Sequence, residues 1–197
     1  MINKILACIA VLAVIATLGA SNIFAIDKDS GTSQGISPRI VADYLRAVIM
    51  AHRHFYTIHI VNRLSREGIV DASEHWEAMH ALPLPVQLLK ETSEIAELTG
   101  PHVRYHLISQ WPINKANAPA NEFERIALKE VQTQPNKPYS STIRGDKGQS
   151  FETVYADVAV TMACVKCHNA HPNSPKSDFK IGDVMGGLVI SFPLNNQ

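Results

Sequence analysis

The chain has 197 residues, 46% of them hydrophobic and 18% charged, and its 18 Lys and Arg offset its 18 Asp and Glu. That length supports one domain with a sizeable core, and the even charge excludes the basic excess that nucleic acids and acidic polymers demand. Gly (10) and Pro (11) are too ordinary for collagen-like or disordered chains, and Cys (3) is too scarce for a disulfide-dense scaffold.

In chain order, residues 1–4 carry one lysine, residues 5–20 form an apolar run, and Ser21-Asn22-Ile23-Phe24-Ala25 ends on a small residue. This pattern predicts a signal peptide over 1–25 and export to the periplasm. The alternative is an uncleaved anchor facing the periplasm, because no charge interrupts residues 5–26, enough to span a bilayer. Removing 1–25 would take away Cys8, leave Cys164 and Cys167, and bring the net charge to about −1.

Residues 26–37 read as a flexible polar leader. Ser37-Pro38 reads as an N-cap followed by Pro at the first helical position. From there to Arg66 no Gly or Pro occurs, which predicts one long helix closed by Gly68. Val41, Leu45, Val48, His52, Phe55 and His59 recur at helical spacing and are expected to share its buried face. A mixed segment over 69–84 holds His75, Trp76 and His80. A second helix is predicted over 86–98, stopped by Gly100-Pro101, then an alternating strand over 102–111, a loop over 112–119 and a short helix over 122–132. The turn-rich stretch 136–148 holds a short strand over 139–143, and further strands are predicted over 151–160 and 184–192. Helices followed by three or four strands predict an α+β domain with an antiparallel sheet over 38–197.

The chemistry sits in Cys164-Val165-Lys166-Cys167-His168, the attachment signature of c-type haem. Two thiols about one turn apart suit the vinyl groups of neighbouring pyrrole rings, and the next residue places an imidazole under the iron as proximal ligand. This composition would produce the pattern by chance roughly 0.002 times per chain. Export agrees independently with covalent haem attachment. Three rivals are weaker. A thioredoxin-like pair leaves His168 without a purpose and lacks a βαβ pattern. A zinc site from Cys164, Cys167, His168 and His171 is unusually compact. A disulfide between cysteines so close stabilises little. One covalently bound haem c is therefore expected, with Cys164 and Cys167 as thioethers and His168 on the iron.

The second axial position decides the chemistry. Without Cys8 no thiolate remains for it, which leaves His52, His54, His59, His75, His80, His102 and His106, or Met50, Met79 and Met162. His171 stands too near His168 to reach the opposite side. His102 and His106 share strand parity and suit an ordinary sheet edge equally well. His52 and His59 lie on the expected apolar helix stripe, and methionine more often fills cores. Lys166, Lys176 and Arg144 are candidates for haem propionates and Trp111 and Phe151 for packing on the macrocycle; solvated charge and ordinary core serve equally.

Three segments carry a resemblance. Ala51-His-Arg-His-Phe-Tyr-Thr-Ile-His-Ile-Val-Asn-Arg-Leu64, the stretch Trp111 to Glu124 (WPINKANAPANEFE) and the closing Cys164 to Pro193 (CVKCHNAHPNSPKSDFKIGDVMGGLVISFP) together resemble a family of periplasmic c-type haem domains with a PAS-like fold. Members of that family occur as secreted monohaem proteins and as input domains of sensor kinases and chemoreceptors. The resemblance spans 38–194. It implies an antiparallel sheet flanked by helices, and a distal ligand from the opening helix. Matching Tyr56-Thr57-x-His59-x-Val61 puts that ligand at His59, with His52 and His54 as fallbacks. Some relatives place a cysteine there; this chain has none.

These readings predict a monohaem cytochrome c-like protein, redox-active in periplasmic electron transfer with a redox partner protein. The alternative is a haem-based redox or gas sensor signalling to a separate partner, since no signalling segment follows the domain. A peroxidase-like enzyme is the third class. It is disfavoured because Arg53 and its neighbours His52 and His54 do not face one way on a helix. No nucleic acid is expected as partner, and the membrane only through an uncleaved anchor.

Overall fold

Ser37 starts the first helix, as its type and position dictate. Its hydroxyl accepts the Ile40 amide at 3.4 Å, Pro38 takes the first helical position, and α1 runs over Pro38–Phe55. The computed structural model describes residues 35–100, 102–145 and 148–194, so the expected signal segment and most of the leader lie outside the described residues.

The helical run is not uniform. Tyr56–Val61 is π-helical, and α geometry resumes as α2 (Asn62–Arg66). Two side-chain bonds accompany the change. Thr57 Oγ1 donates back to the Arg53 carbonyl at 2.8 Å, and the Tyr56 hydroxyl donates to the Pro83 carbonyl at 2.7 Å. Gly68 follows with a φ of 68°, the left-handed conformation that ends a helix at least cost on glycine.

The predicted stripe on α1 is inward only in part. Its member Leu45 packs on the core beside the buried Ala42 and Ile49, which the prediction left out, whereas Val48 and Phe55 are 55% and 59% exposed and His52 and His59 lie open. Both stripes satisfy helical spacing, so polar anchoring decides between them. The Tyr155 hydroxyl donates to Asp43 Oδ1 at 2.7 Å, and the Arg39 and Arg46 guanidinium carbons stand 5.7 and 5.1 Å from the Tyr155 ring centre. These contacts roll α1 until Ala42 and Ile49 meet the sheet.

The mixed segment folds as a small parallel pair, β1 (Ala72–Ser73) and β2 (Leu82–Pro83), around α3 (Trp76–Met79). Next come α4 (Pro85–Thr99), β3 (Arg104–Ile108), a 3₁₀ turn (Lys115–Asn117) and α5 (Glu122–Thr133), whose N-cap Asn121 accepts the Glu124 amide at 2.9 Å. The chain closes with β4 (Tyr139–Gly145), β5 (Gly148–Val158), α6 (Met162–Ala170) and β6 (Val184–Leu194). Strands pair antiparallel in the order β3-β6-β5-β4, an α+β architecture as the sequence predicts.

Helices cover both faces of this sheet, which is why β5 and β6 are buried along nearly their whole length. Phe151, Tyr155, Leu188 and Ile190 point to α1 and α4 and meet Ala42, Ile49 and Leu89. Val154, Ala156, Ile108 and Val189 point the other way onto Ala127, Leu128 and Val131 of α5. Gly186 and Gly187 permit this close packing. A Cβ on Gly186 would stand 2.2 Å from the Ile108 carbonyl oxygen, and one on Gly187 would stand 2.6 Å from Val154 Cγ1. A third cluster at the sheet's end, Ala159, Val165, Phe179 and Met185 with Trp111 and Cys164 against them, seats α6. Among the described residues no helix is long and apolar enough to cross a membrane.

Candidate functional site

Residues 164–168 occupy the middle of α6, so Cys164 and Cys167 stand three positions apart on one helix face. Val165, between them, is the buried anchor at 7% exposure. Both thiols are free, Cys164 half-buried and Cys167 exposed. Thr161 caps the helix start without a side-chain bond to its amides; its hydroxyl instead meets Cys164 Sγ at 3.3 Å.

His168 is held by a small frame. Its ring meets Phe179 at right angles, with centroids 5.9 Å apart. Phe179 is itself pinned by the residue after the histidine. Asn169 Nδ2 donates to the Phe179 carbonyl at 2.9 Å, and the Phe179 amide donates to Asn169 Oδ1 at 3.0 Å. Trp111 packs edge-on against Phe179 at 5.6 Å, and the Lys176 ammonium, paired with Asp178, stands over both rings at 5.4 and 5.0 Å. Nδ1 of His168 is buried with no hydrogen-bond partner among the described residues. Burial holds this imidazole below the ordinary histidine pKa, opposed by Asp157 and assisted by the charges of Arg53 and His171. It is therefore a neutral ring with a lone pair to give.

The opening helix reaches this site through one ion pair. Arg53 Nη1 donates to Asp157 Oδ1 at 2.5 Å, across 104 residues of chain, with side chains 16% and 12% exposed. Asp157 follows Phe151, Thr153 and Tyr155 on the face of β5 that α1 covers. Burial by itself would make the guanidinium easier to deprotonate; the Asp157 carboxylate, by charge and hydrogen bond, overturns this and keeps Arg53 firmly charged, with a smaller contribution from Cys164. His54 shares the surroundings. Its pKa is lowered by burial and by Arg53, against Asp157.

Of the predicted distal candidates, His54 is half-buried beside this pair, while His59 is exposed on the π-helical stretch with its ring 5.0 Å from Phe55. His52 turns instead to an apolar groove of about 580 Å³ between α1 and α4, lined by Leu45, Ile49, Leu88 and Leu89 and bordered by Arg53. The remaining histidines lie elsewhere. His75 and His80 are exposed around α3, His102 Nδ1 lies 3.1 Å from the Glu97 carbonyl, and His106 Nε2 lies 3.2 Å from Glu124 Oε1. Trp111 and Lys176 belong to the frame around His168; Phe151 packs on Phe192 in the core, and Arg144 lies near the β4–β5 hairpin.

The rival chemistries gain nothing here. Although Cys167 is exposed, partial desolvation on α6 and then Cys164 push its thiol up, the opposite of the activated thiolate that a dithiol redox pair uses. Among the described residues no group of three or more His, Cys, Asp and Glu side chains is arranged to hold a metal ion, which disfavours zinc. A haem asks for less of the protein: two thiols, one imidazole below the iron and an apolar surround. The free thiols and the orphaned ring nitrogen fit that donor set, and the exposed apolar Met162 on α6 and Val160 just before it stand beside them in the chain.

Residues 32–193 match the family model described as Tll0287-like. The chain belongs to the Tll0287-like family. A crystal structure of the cyanobacterial heme-protein Tll0287 aligns over 82% of this chain and 99% of that chain, at 14% identity and a TM-score of 0.48. No curated protein matches. In this Tll0287-like domain three site residues escape a reading of motifs. Asp157 reads as a lone acid ending an apolar strand, Asn169 as the polar neighbour of a motif, and Phe179 as one more aromatic. The one legible signal was strand parity, which puts Asp157 on the same face as Tyr155.

Proposed function

We propose that this Tll0287-like domain carries one covalently bound haem c, with Cys164 and Cys167 as the thioether sulfurs and His168 as proximal ligand, and serves one-electron transfer in the periplasm rather than catalysis. The observation that carries the reading is the conjunction on α6 of two free thiols on one helix face with a neutral imidazole whose buried nitrogen lacks a protein partner. That the family takes its name from a heme-protein agrees with it. When bound, the haem supplies a one-electron ferric–ferrous couple. The chain's own contribution is to hold the group by two sulfurs, to orient His168 against Phe179, and to keep water from that ring with Trp111 and Phe179.

The distal ligand in this reading comes from the opening helix, with His59 first through its place in the Tyr56-Thr57-x-His59-x-Val61 pattern. His54 is the alternative, favoured by its burial beside the Arg53–Asp157 pair. A redox or gas sensor is the second function, supported by the π-helical stretch that carries His59, since such stretches concentrate at functional sites. An optical spectrum of the purified protein, reduced with dithionite and then exposed to carbon monoxide, tests both. Sharp α and β bands unmoved by carbon monoxide support electron transfer, and a shifted Soret band supports sensing. A haem that extracts into acid acetone, or none at all, refutes covalent attachment.

A further inference from the structure

We infer that the buried Arg53–Asp157 ion pair sets the reduction potential of this domain by cancelling, beside the Cys-His helix, two charges that would each displace it in opposite directions. The inference rests on the haem reading of Cys164, Cys167 and His168. A buried ion pair is poor evidence of stabilisation, because desolvating two charges costs about what their attraction returns. Its placement says where its field falls. Arg53 stands between His52 and His54 at the end of α1. Asp157 stands two residues before Ala159, which packs in one cluster with Val165 and Cys164, and four before Thr161, whose hydroxyl meets Cys164 Sγ. The pair thus ties the end of the helix proposed to supply the distal ligand to the last residues of β5, just before the chain enters the helix that supplies the sulfurs and the imidazole.

Adding one electron lowers the charge of the centre by one, so a nearby positive charge favours the reduced form and a negative charge disfavours it. Between solvent-exposed charges such effects are largely screened beyond about 8–10 Å at ordinary salt; at side chains this shielded they persist further. With both partners present the fields nearly cancel. Asp157→Asn leaves Arg53 uncompensated and is expected to raise the midpoint potential. Arg53→Met leaves Asp157 uncompensated and is expected to lower it. The double variant is expected to return close to the wild-type value, and Arg53→Lys, which keeps the charge, to stay near it throughout. A merely structural brace would move both single variants the same way.

The test is an optically monitored potentiometric titration of the haem-loaded protein and these four variants, preceded by an acid-acetone extraction of the wild type. Shifts of opposite sign that cancel in the double variant support the assignment. Shifts of one sign, or none, with haem covalently attached overturn it while leaving the haem reading intact. Loss of haem to the extraction overturns the haem reading and the inference with it. Should one single variant fail to fold, the other single variant and the double variant carry the titration: a shift of the expected sign that the double variant reverses supports the assignment, and its absence overturns it.

Discussion

Replacing Asn169 by alanine probes how firmly the proximal side of the site is built. The side chain makes two bonds in opposite directions to one residue, at 2.9 and 3.0 Å, and so closes the loop over residues 170–178 against α6. Alanine keeps the helix but leaves the amide and carbonyl of Phe179, a residue 3% exposed, without partners. Stranding one buried backbone group costs about 1–3 kcal/mol. Two such groups, with partial relaxation toward water, put the loss at roughly 2–4 kcal/mol. At about 2–4 °C per kcal/mol for a domain of this size, the melting temperature should fall by roughly 4–16 °C. Urea unfolding of the haem-loaded wild type and variant measures it, and electron paramagnetic resonance of the ferric form reports the His168 ring, whose packing depends on Phe179. Asn169→Asp keeps an acceptor for the Phe179 amide but sets a carboxylate against its carbonyl, so it should recover none of the carbonyl's share. A loss below about 1 kcal/mol in Asn169→Ala, with unchanged resonance, would refute the idea that this clamp holds the frame.

His59→Ala should turn a six-coordinate low-spin ferric spectrum into a high-spin or mixed one; if it stays unchanged and His54→Ala makes the conversion, His54 is the distal ligand. Gly186→Ala should cost more than about 3 kcal/mol, because the new methyl meets a backbone oxygen, and Gly187→Ala about 1–3 kcal/mol against the Val154 side chain; equal costs in urea unfolding would contradict the close-approach account. Glu124 should govern part of the acid limb of stability. Its burial would raise its pKa, but His106 and the Ala120 amide together bring it below the ordinary value of 4.5. The lowered value means a contribution present above pH 4.5 and lost as pH falls through the folded value. Glu152, raised by burial and then by Glu124, works the other way, stabilising when protonated and losing that as pH rises through its raised value. Glu124→Gln should therefore flatten the fall in the urea midpoint below pH 4.5, and an unaltered slope would exclude Glu124 as its source.

The elements that local pattern specifies were legible. Ser37-Pro38 is a cap whose chemistry acts within four residues, and α1 begins where it stands. The alternation in β5 and the apolar run of β6 were enough to mark strands, and both are covered on two faces. Which stripe of α1 faces inward was not legible. Two stripes met the same spacing, and Tyr155, more than a hundred residues away, chose between them. The π-helical stretch was also out of reach, since its Tyr56 bond is made to Pro83 on another element.

The sequence by itself determined the chemistry on offer: two cysteines and a histidine at a spacing that a single helical turn converts into one face, because that geometry is local and needs no partner. Tertiary structure decided the rest. It brought Asp157 to Arg53, folded Phe179 onto His168 through Asn169, and left the histidine's Nδ1 buried and unpaired. These contacts join residues that are far apart along the chain. Their energies depend on burial and on which face each element turns inward, and neither is fixed until the helices and the sheet have packed.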